Sequence, residues 1–514
     1  MARNKITIVK GQNGLSRVAD GEDYISGLVF YSSTLPSGFS TTSRIKLTTN
    51  LADAEALGIT NDHTGETKAT GTVTITAIGA NDDTISIKVV EPKETVTLAT
   101  YTKTATETTV TLIAAAIVSL INAGDHGYTA TNTAGAITIT AREGLGVFLN
   151  SGTPLATSIT GTITATLSQF SGGVASVFDI MHYHISEFYR INPTGLLYVG
   201  IFAIPSTFDG AEIQTLVNYS NGKIRQKGVY YTNVAFATSQ VQALQGVEET
   251  LEGLYKWGST LYAPDIIGTT NLLTVSNLSS LDSNKVSVVI GQDGYGINDS
   301  NEIISGLGYE LFKATGKSIT SLGATLGAVS KASVEENIAW IQNFNMSDGT
   351  ELEYPAISNG QNVSSLADST LDFLDSYRYV FLTKQGIAGT YFNDSHTAIT
   401  KTSDYAYIEN NRTIDKACRG VYQALLPLLN SPLVVNTDGT LKNTTIATFE
   451  SPANSYLAQM CRDGEISGEP GDLRTYINPA QNVLTSSILE MTITIQPVGV
   501  ARNIKVNIGF AVKL

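Results

Sequence analysis

Two stretches near the carboxyl-terminal end alternate apolar and polar residues with a period of two. In the first, Leu489, Met491, Ile493 and Ile495 oppose Glu490, Thr492, Thr494 and Gln496. In the second, Ile504, Val506, Ile508, Phe510, Val512 and Leu514 oppose Lys505, Asn507, Gly509 and Lys513. That period marks a strand with one covered face. Pro497-Val-Gly499 separates the two stretches, since proline ends a ladder and glycine permits a bend. Such a ribbon frays unless it is tied down. Its apolar face must be covered either by the protein's own core or by a neighbouring subunit.

The rest of the chain divides by composition. With 514 residues, at roughly 150 residues per domain, about three or four domains are expected. Residues 1–60 read as a first unit. It holds a short strand at 5–9, with Ile6 and Ile8 on one face, a further run at 25–31, and the helix Leu51-Ala-Asp-Ala-Glu-Ala-Leu57 between Asn50 as cap and Gly58 as stop. Residues 61–170 are rich in threonine, with twenty-four in 71–170. Strands are predicted there at 72–78, 84–90, 95–101 and 137–140, around one helix at 108–122. The abrupt change predicts a small β-rich domain inserted in a surface loop of a host fold.

Residues 171–350 alternate strands (196–202, 230–237, 264–269, 286–291) with helices (209–226, 239–257). That order argues for an α/β body with a mainly parallel sheet. Residues 351–514 read as a C-terminal α+β unit with a strand arm at 500–514. Leu366, Thr370, Phe373, Leu374 and Tyr377 share a helical face, and strands are predicted at 378–384, 389–392 and 405–409. One helix carries the stripe Ile414, Ala417, Cys418, Val421 and Leu425, and ends or kinks at Pro427. A second, with Ser451-Pro452 read as its N-terminus, presents Ala453, Tyr456, Leu457 and Met460. The fold class is therefore multidomain, α/β and α+β, with a β-rich insert.

Composition excludes several function classes. The chain has 32 Lys and Arg against 46 Asp and Glu, a net charge of −14. Such a chain is poorly suited to binding nucleic acid directly. Only 15% of residues are charged, against about 25% in ordinary soluble domains, which suits a surface that meets other protein. The longest apolar run, 112–123, is too short to span a bilayer, and the start lacks the apolar core of a signal peptide. A soluble protein made in the cytosol is expected. Cys418 and Cys461 form no disulfide framework and fit no zinc spacing; each is read as a small core residue on a helix.

No chemical motif is complete. Gly316-Lys317-Ser318 matches the end of a phosphate-binding loop, but Leu311 stands where the first glycine belongs. Thr315-Gly316 reads better as a helix stop before another helix at 319. His182 and His184 flank Tyr183 and would share a face on a strand, yet a metal site needs further ligands. The stretch 293–302 carries oxygen donors without the order of a calcium-binding EF-hand and reads as a polar turn. No catalytic residue, cofactor or metal is assigned. A large chain without an active site, with unpaired strand patterns, suggests assembly by strand exchange.

Four segments carry a resemblance: Asp23-Tyr-Ile-Ser-Gly-Leu-Val-Phe30; Leu51 to Ile59; Ser321-Leu-Gly-Ala-Thr-Leu-Gly-Ala-Val-Ser-Lys-Ala-Ser333 with Glu336-Asn-Ile-Ala-Trp340; and Tyr407-Ile-Glu-Asn-Asn-Arg-Thr-Ile-Asp-Lys416. In this order they resemble the tail sheath proteins of contractile phages and related injection systems. The resemblance implies a structural subunit, not an enzyme. It stacks as helical rings around an inner tail tube and drives that tube through a target envelope on contraction. It also implies self-assembly by strand exchange, with Ile6, Ile8, Ile504, Val506, Ile508, Phe510 and Val512 as interface positions. The implied partners are the tail tube, baseplate and tail terminator proteins, with no membrane, and the insert would face outward. The alternatives are a baseplate or tube protein of a virion, an α/β enzyme using a nucleotide at Lys317, or a surface adhesin built on the threonine-rich domain.

Overall fold

Seven strands organise the larger part of the molecule. The computed structural model describes residues 22–384, 386, 389–481 and 483–506. The order across the main sheet is Tyr379–Val380, Val286–Val289, Ser259–Asp265, Gln226–Ala235, Ile25–Tyr31, Leu196–Phe202 and Ile45–Thr48. All neighbours are parallel except the last pair, which is antiparallel. Ile25–Tyr31 lies inside the sheet and is buried throughout, which explains the continuous apolar run Leu28-Val-Phe-Tyr31: a parallel strand is covered on both faces. Leu28 and Phe30 point into one layer with Ile185, Phe188, Leu322 and Leu326. Val29 and Tyr31 point into the other, with Ile213, Leu216, Val241 and Leu244. The described chain is thus a mixed α/β protein.

The helices Val177–Ile191 and Leu322–Lys331 approach almost backbone to backbone. A methyl group on Gly323 would lie 2.1 Å from the His184 carbonyl oxygen, and one on Gly327 would lie 2.8 Å from that of Phe188. The spacing of four residues puts both glycines on one helix face, so the Leu-Gly-Ala-Thr-Leu-Gly segment is a packing groove. The other quoted segments converge on it. Leu28, Phe30, Ala54 and Ile59 share its core cluster. Ser330 Oγ donates to the Tyr24 carbonyl at 2.7 Å. Arg412 donates to the carbonyls of Ser333 and Ala332 at 2.9 and 3.0 Å.

Residues 70–171 form two antiparallel sheets and one helix around a core of their own. Four strands run in the order Thr129–Thr133, Ala136–Thr140, Thr70–Ala77, Thr164–Ser171; three run Thr95–Thr102, Thr84–Val90, Leu155–Thr160. Val73, Ile75, Ile85, Ile87, Ile137 and Ile139 meet Ile113, Ile117 and Ile121 of the helix Val110–Ala123 inside. Threonines take the wet face, with Thr131, Thr138, Thr72 and Ser168 aligned across four strands. Strands with one dry face favour this composition.

The chain divides into two compact units. One runs from Tyr24 to Arg412. The described residues of the other are 22–23 and those from Thr413 on. Residues 351–412 pack with the first, and Tyr379–Val380 is an edge strand of its main sheet.

Several local expectations are corrected. His182 and His184 lie in the helix Val177–Ile191, not on a strand; Ser176 caps it by accepting from Phe178 N at 3.1 Å. The helix expected at 209–226 is Glu212–Tyr219, because Asn221 and Gly222 adopt left-handed φ and Gln226 already opens a strand. The strand expected at 264–269 lies at Ser259–Asp265. The helix expected from 319 starts at Leu322, after Thr320 with φ of 61°. Residues 378–384 split into two short strands, since Asn393 Oδ1 takes the N–H of Phe381 between them. The strand expected at 405–409 is a single bridge, His396 with Tyr407, before the helix Ile408–Leu425. Asn411 Nδ2 donates to the carbonyls of Tyr405 and Tyr407 there, which fixes the helix entry. Pro452 lies inside the helix Asn443–Arg462 rather than at its start. Its missing N–H weakens that turn, but Ile446 and Phe449 one to two turns earlier pack on Leu441, Ile477 and Val483 and hold the preceding segment helical.

Candidate assembly edge

The smaller unit rests on two modest cores. Ala417, Leu457, Met460 and Ile466 form one, against which Ile493 and Ile495 pack. Leu441, Ile477 and Val483 form the other, which Leu489 and Met491 join. The apolar face of the first alternating stretch is therefore covered by its own unit. Lys416 braces the first core by pairing with Asp23 at 3.0 Å and with Glu465. Burial disfavours the Lys416 charge, but the two carboxylates more than offset this and raise its pKa, while burial raises that of Glu465.

The backbone of this stretch is stitched along one edge. Gln481 brackets Glu490, donating to its carbonyl and accepting from its N–H at 2.7 Å each. Thr492–Ile493 pairs antiparallel with Thr475–Tyr476. Thr494 N donates to the Arg474 carbonyl at 2.9 Å, and Ser467 N to that of Gln496 at 2.8 Å. Inward bonds thus fall on 490, 492, 494 and 496. In an antiparallel ladder the intervening residues turn their N–H and C=O groups the other way. The outer edge, made by Met491, Ile493 and Ile495, has no backbone partner among the described residues. An open edge of this kind is a template for a further strand.

Beside it, a groove of about 360 Å³ is lined by Ser467, Arg474, Tyr476, Thr492, Thr494 and Gln496. Arg474 orders its rim by donating to the carbonyls of Ser467 and Glu469. Leu473 is 83% exposed and Tyr476 61%. Beyond Pro497, Ile504 and Val506 lie in no strand and are 81% and 68% exposed. The other expected interface positions, Ile6, Ile8, Ile508, Phe510 and Val512, lie outside the described residues.

The remaining candidates are structural. Gly316 ends the helix Leu307–Thr315 in the left-handed conformation at φ 60°. Ser318 is buried, donates to the Ser358 carbonyl at 2.6 Å and accepts from Ile266 N at 2.9 Å, so its hydroxyl is already committed. His184 is buried between Phe30 and Tyr230, and desolvation pushes its pKa down to about 3. His182 meets Glu55 at 3.0 Å instead. The 293–302 turn is a hairpin, Tyr295–Ile297 with Ile303–Ser305. Cys418 and Cys461 are half-buried, and Cys461 Sγ donates to the Gly468 carbonyl. Among the described residues no group of His, Cys, Asp and Glu is arranged to hold a metal, and no helix is long and apolar enough to cross a membrane.

A family model described as DUF2586, N-terminal domain, matches residues 4–396, and one described as DUF2586, C-terminal domain, matches 404–514. The chain belongs to the DUF2586 family. No curated protein matches this DUF2586 chain. Among solved structures it is similar to the contracted helical sheath of the anti-feeding prophage, at 14% identity and TM-score 0.44, over 64% of this chain and 81% of that one. It is also similar to the sheath tail protein of Desulfitobacterium hafniense, at 11% identity and TM-score 0.39, over 96% of each chain. A third is the contracted sheath complex of an extracellular contractile injection system, PVC, at 11% identity and TM-score 0.35, over 65% of this chain and 80% of that one.

Proposed function

We propose that this DUF2586 chain is the structural subunit of a contractile tail sheath. It polymerises as stacked helical rings around an inner tail tube, and contraction drives the tube through a target envelope. One observation carries the reading: the smaller unit covers the apolar face of 489–496 yet leaves its outer backbone edge open. A strand from a neighbouring copy would satisfy that edge in register, and alternate side chains would give it specificity. Ile504 and Val506, exposed beyond a Pro-Val-Gly joint, begin the segment that would make the exchange. A head-to-tail exchange that does not close on itself builds a helical polymer. Contraction then needs no nucleotide. The extended lattice is held by a kinetic barrier and relaxes to a more interlocked one while the paired strands keep neighbours joined.

The partners under this reading are further copies of the chain, the tail tube, baseplate and terminator proteins, with assembly in the host cytoplasm. The threonine-rich domain faces outward as a decoration. The test is truncation before Ile504 followed by electron microscopy. The shortened chain should stay folded and form no striated tubes, whereas tubes from the truncated chain would refute the exchange.

A further inference from the structure

Beneath the first turn of the helix Leu307–Thr315 lies a cluster of acids. Asp293 is 1% exposed, and neither of its carboxyl oxygens has a hydrogen-bond partner. A methyl group on Gly306 would lie 2.1 Å from Asp293 Oδ2 and 2.7 Å from Glu351 Oε2, so the two carboxyl groups crowd a single small space. Glu351 accepts from the Leu307 N–H with both oxygens at 3.0 Å and so caps the helix. From the helix Val177–Ile191, Tyr183 brings a buried hydroxyl that has no partner, beside Gly308 and Asp293. Glu187 and Arg190 come from the same helix. Arg190 is the cluster's cation, and it is already engaged by Glu187 at 2.6 Å, by Asp348 at 3.8 Å and by the Met346 carbonyl.

Four carboxyl groups thus face one committed guanidinium. A buried carboxylate without a hydrogen bond or counter-ion costs several kcal/mol, and binding a proton removes that cost. We propose that Asp293 is a proton-binding pin: held as the neutral acid, it lets the first turn of Leu307–Thr315 seat on the cluster, and its ionisation unseats that turn. The electrostatics agree, since burial first, then Glu351 and Glu187, raises the Asp293 pKa well above the carboxylate range. The amides of Leu352 and Gly294 pull the other way without making a hydrogen bond. The helix also carries Glu310, paired with Lys93, and Ala314, whose carbonyl accepts from Val147 N at 2.7 Å. Both partners belong to the threonine-rich domain, so the proton couples pH to that domain's footing.

The sign follows from linkage. A raised native pKa means the folded chain keeps a proton that the unfolded chain has lost, so stability falls as pH rises above about 4. The test compares wild type with Asp293→Asn, which mimics the neutral acid, in unfolding titrations from pH 5 to 9. While Asp293 stays protonated, the folding equilibrium constant of wild type should fall relative to the variant by about tenfold per pH unit. Isotope-edited infrared spectroscopy of wild type with labelled aspartate should show a protonated-carboxyl band at neutral pH. It decides the matter even if the variant fails to fold. Parallel pH profiles, or no such band, would overturn the proposal.

Discussion

The two units differ in how densely their strands are packed. In the Tyr24–Arg412 unit a central strand is flanked on both sides, two helices touch through glycines, and a buried Lys227–Glu248 pair at 2.7 Å, each side chain 1% exposed, sits on the sheet. In the unit from Thr413 on, two small clusters support a stretch whose outer edge lacks a partner. Dense packing makes the first intolerant of change. On the proposed reading, sparse packing and an open edge make the second a surface whose residues matter more between copies than within one. The same substitution size should therefore act on stability in one unit and on assembly in the other.

The largest stability effect is expected at Glu248→Ala, which removes the carboxylate paired with buried Lys227 and the acceptor of Thr260. A loss of about 3–5 kcal/mol in chemical denaturation is the expected size for breaking a buried ion pair from one side. Gly323→Val comes next. The added side chain meets the His184 carbonyl, and a loss of about 3 kcal/mol follows from overpacking; a neutral result would mean that the helices separate freely. Met491→Pro deletes one outward N–H and part of a half-buried side chain. About 1 kcal/mol of stability should go, whereas tube formation, followed by light scattering, should vanish. Removing the chain from 504 on should change the unfolding free energy least, by less than about 0.5 kcal/mol. A large loss there would place the segment's cover inside its own subunit.

How much the sequence displayed depends on how each element is covered. Ile25–Tyr31 and the threonine strands were legible because two-sided and one-sided burial leave different patterns. Thr315-Gly316 was legible as a stop because glycine alone takes φ of 60° without strain. Val177–Ile191 was not, because His182 and His184, two residues apart, suggest a strand, and that local signal hides Phe178, Met181, Ile185 and Phe188, which repeat at helical spacing. Pro452 misled for a related reason: packing of Ile446 and Phe449 outweighs a local preference. The alternation at 489–496 displayed its covered face correctly, but alternation says nothing about which edge is paired. Only Thr492–Ile493 meets a neighbouring strand, and the parity that leaves 491, 493 and 495 outward emerges from the bonds of Arg474, Gln481 and Ser467. The acids under Leu307–Thr315 were invisible because residues 187, 293 and 351 are brought together by the fold alone.

Amide hydrogen exchange, measured on the monomer and on assembled particles of the same chain, tests the edge most directly. The account predicts that the N–H groups of Met491, Ile493 and Ile495 exchange freely in the monomer and become strongly protected on assembly, while Thr492 and Thr494 change little. Equal exchange at the three outward positions in both states would contradict it.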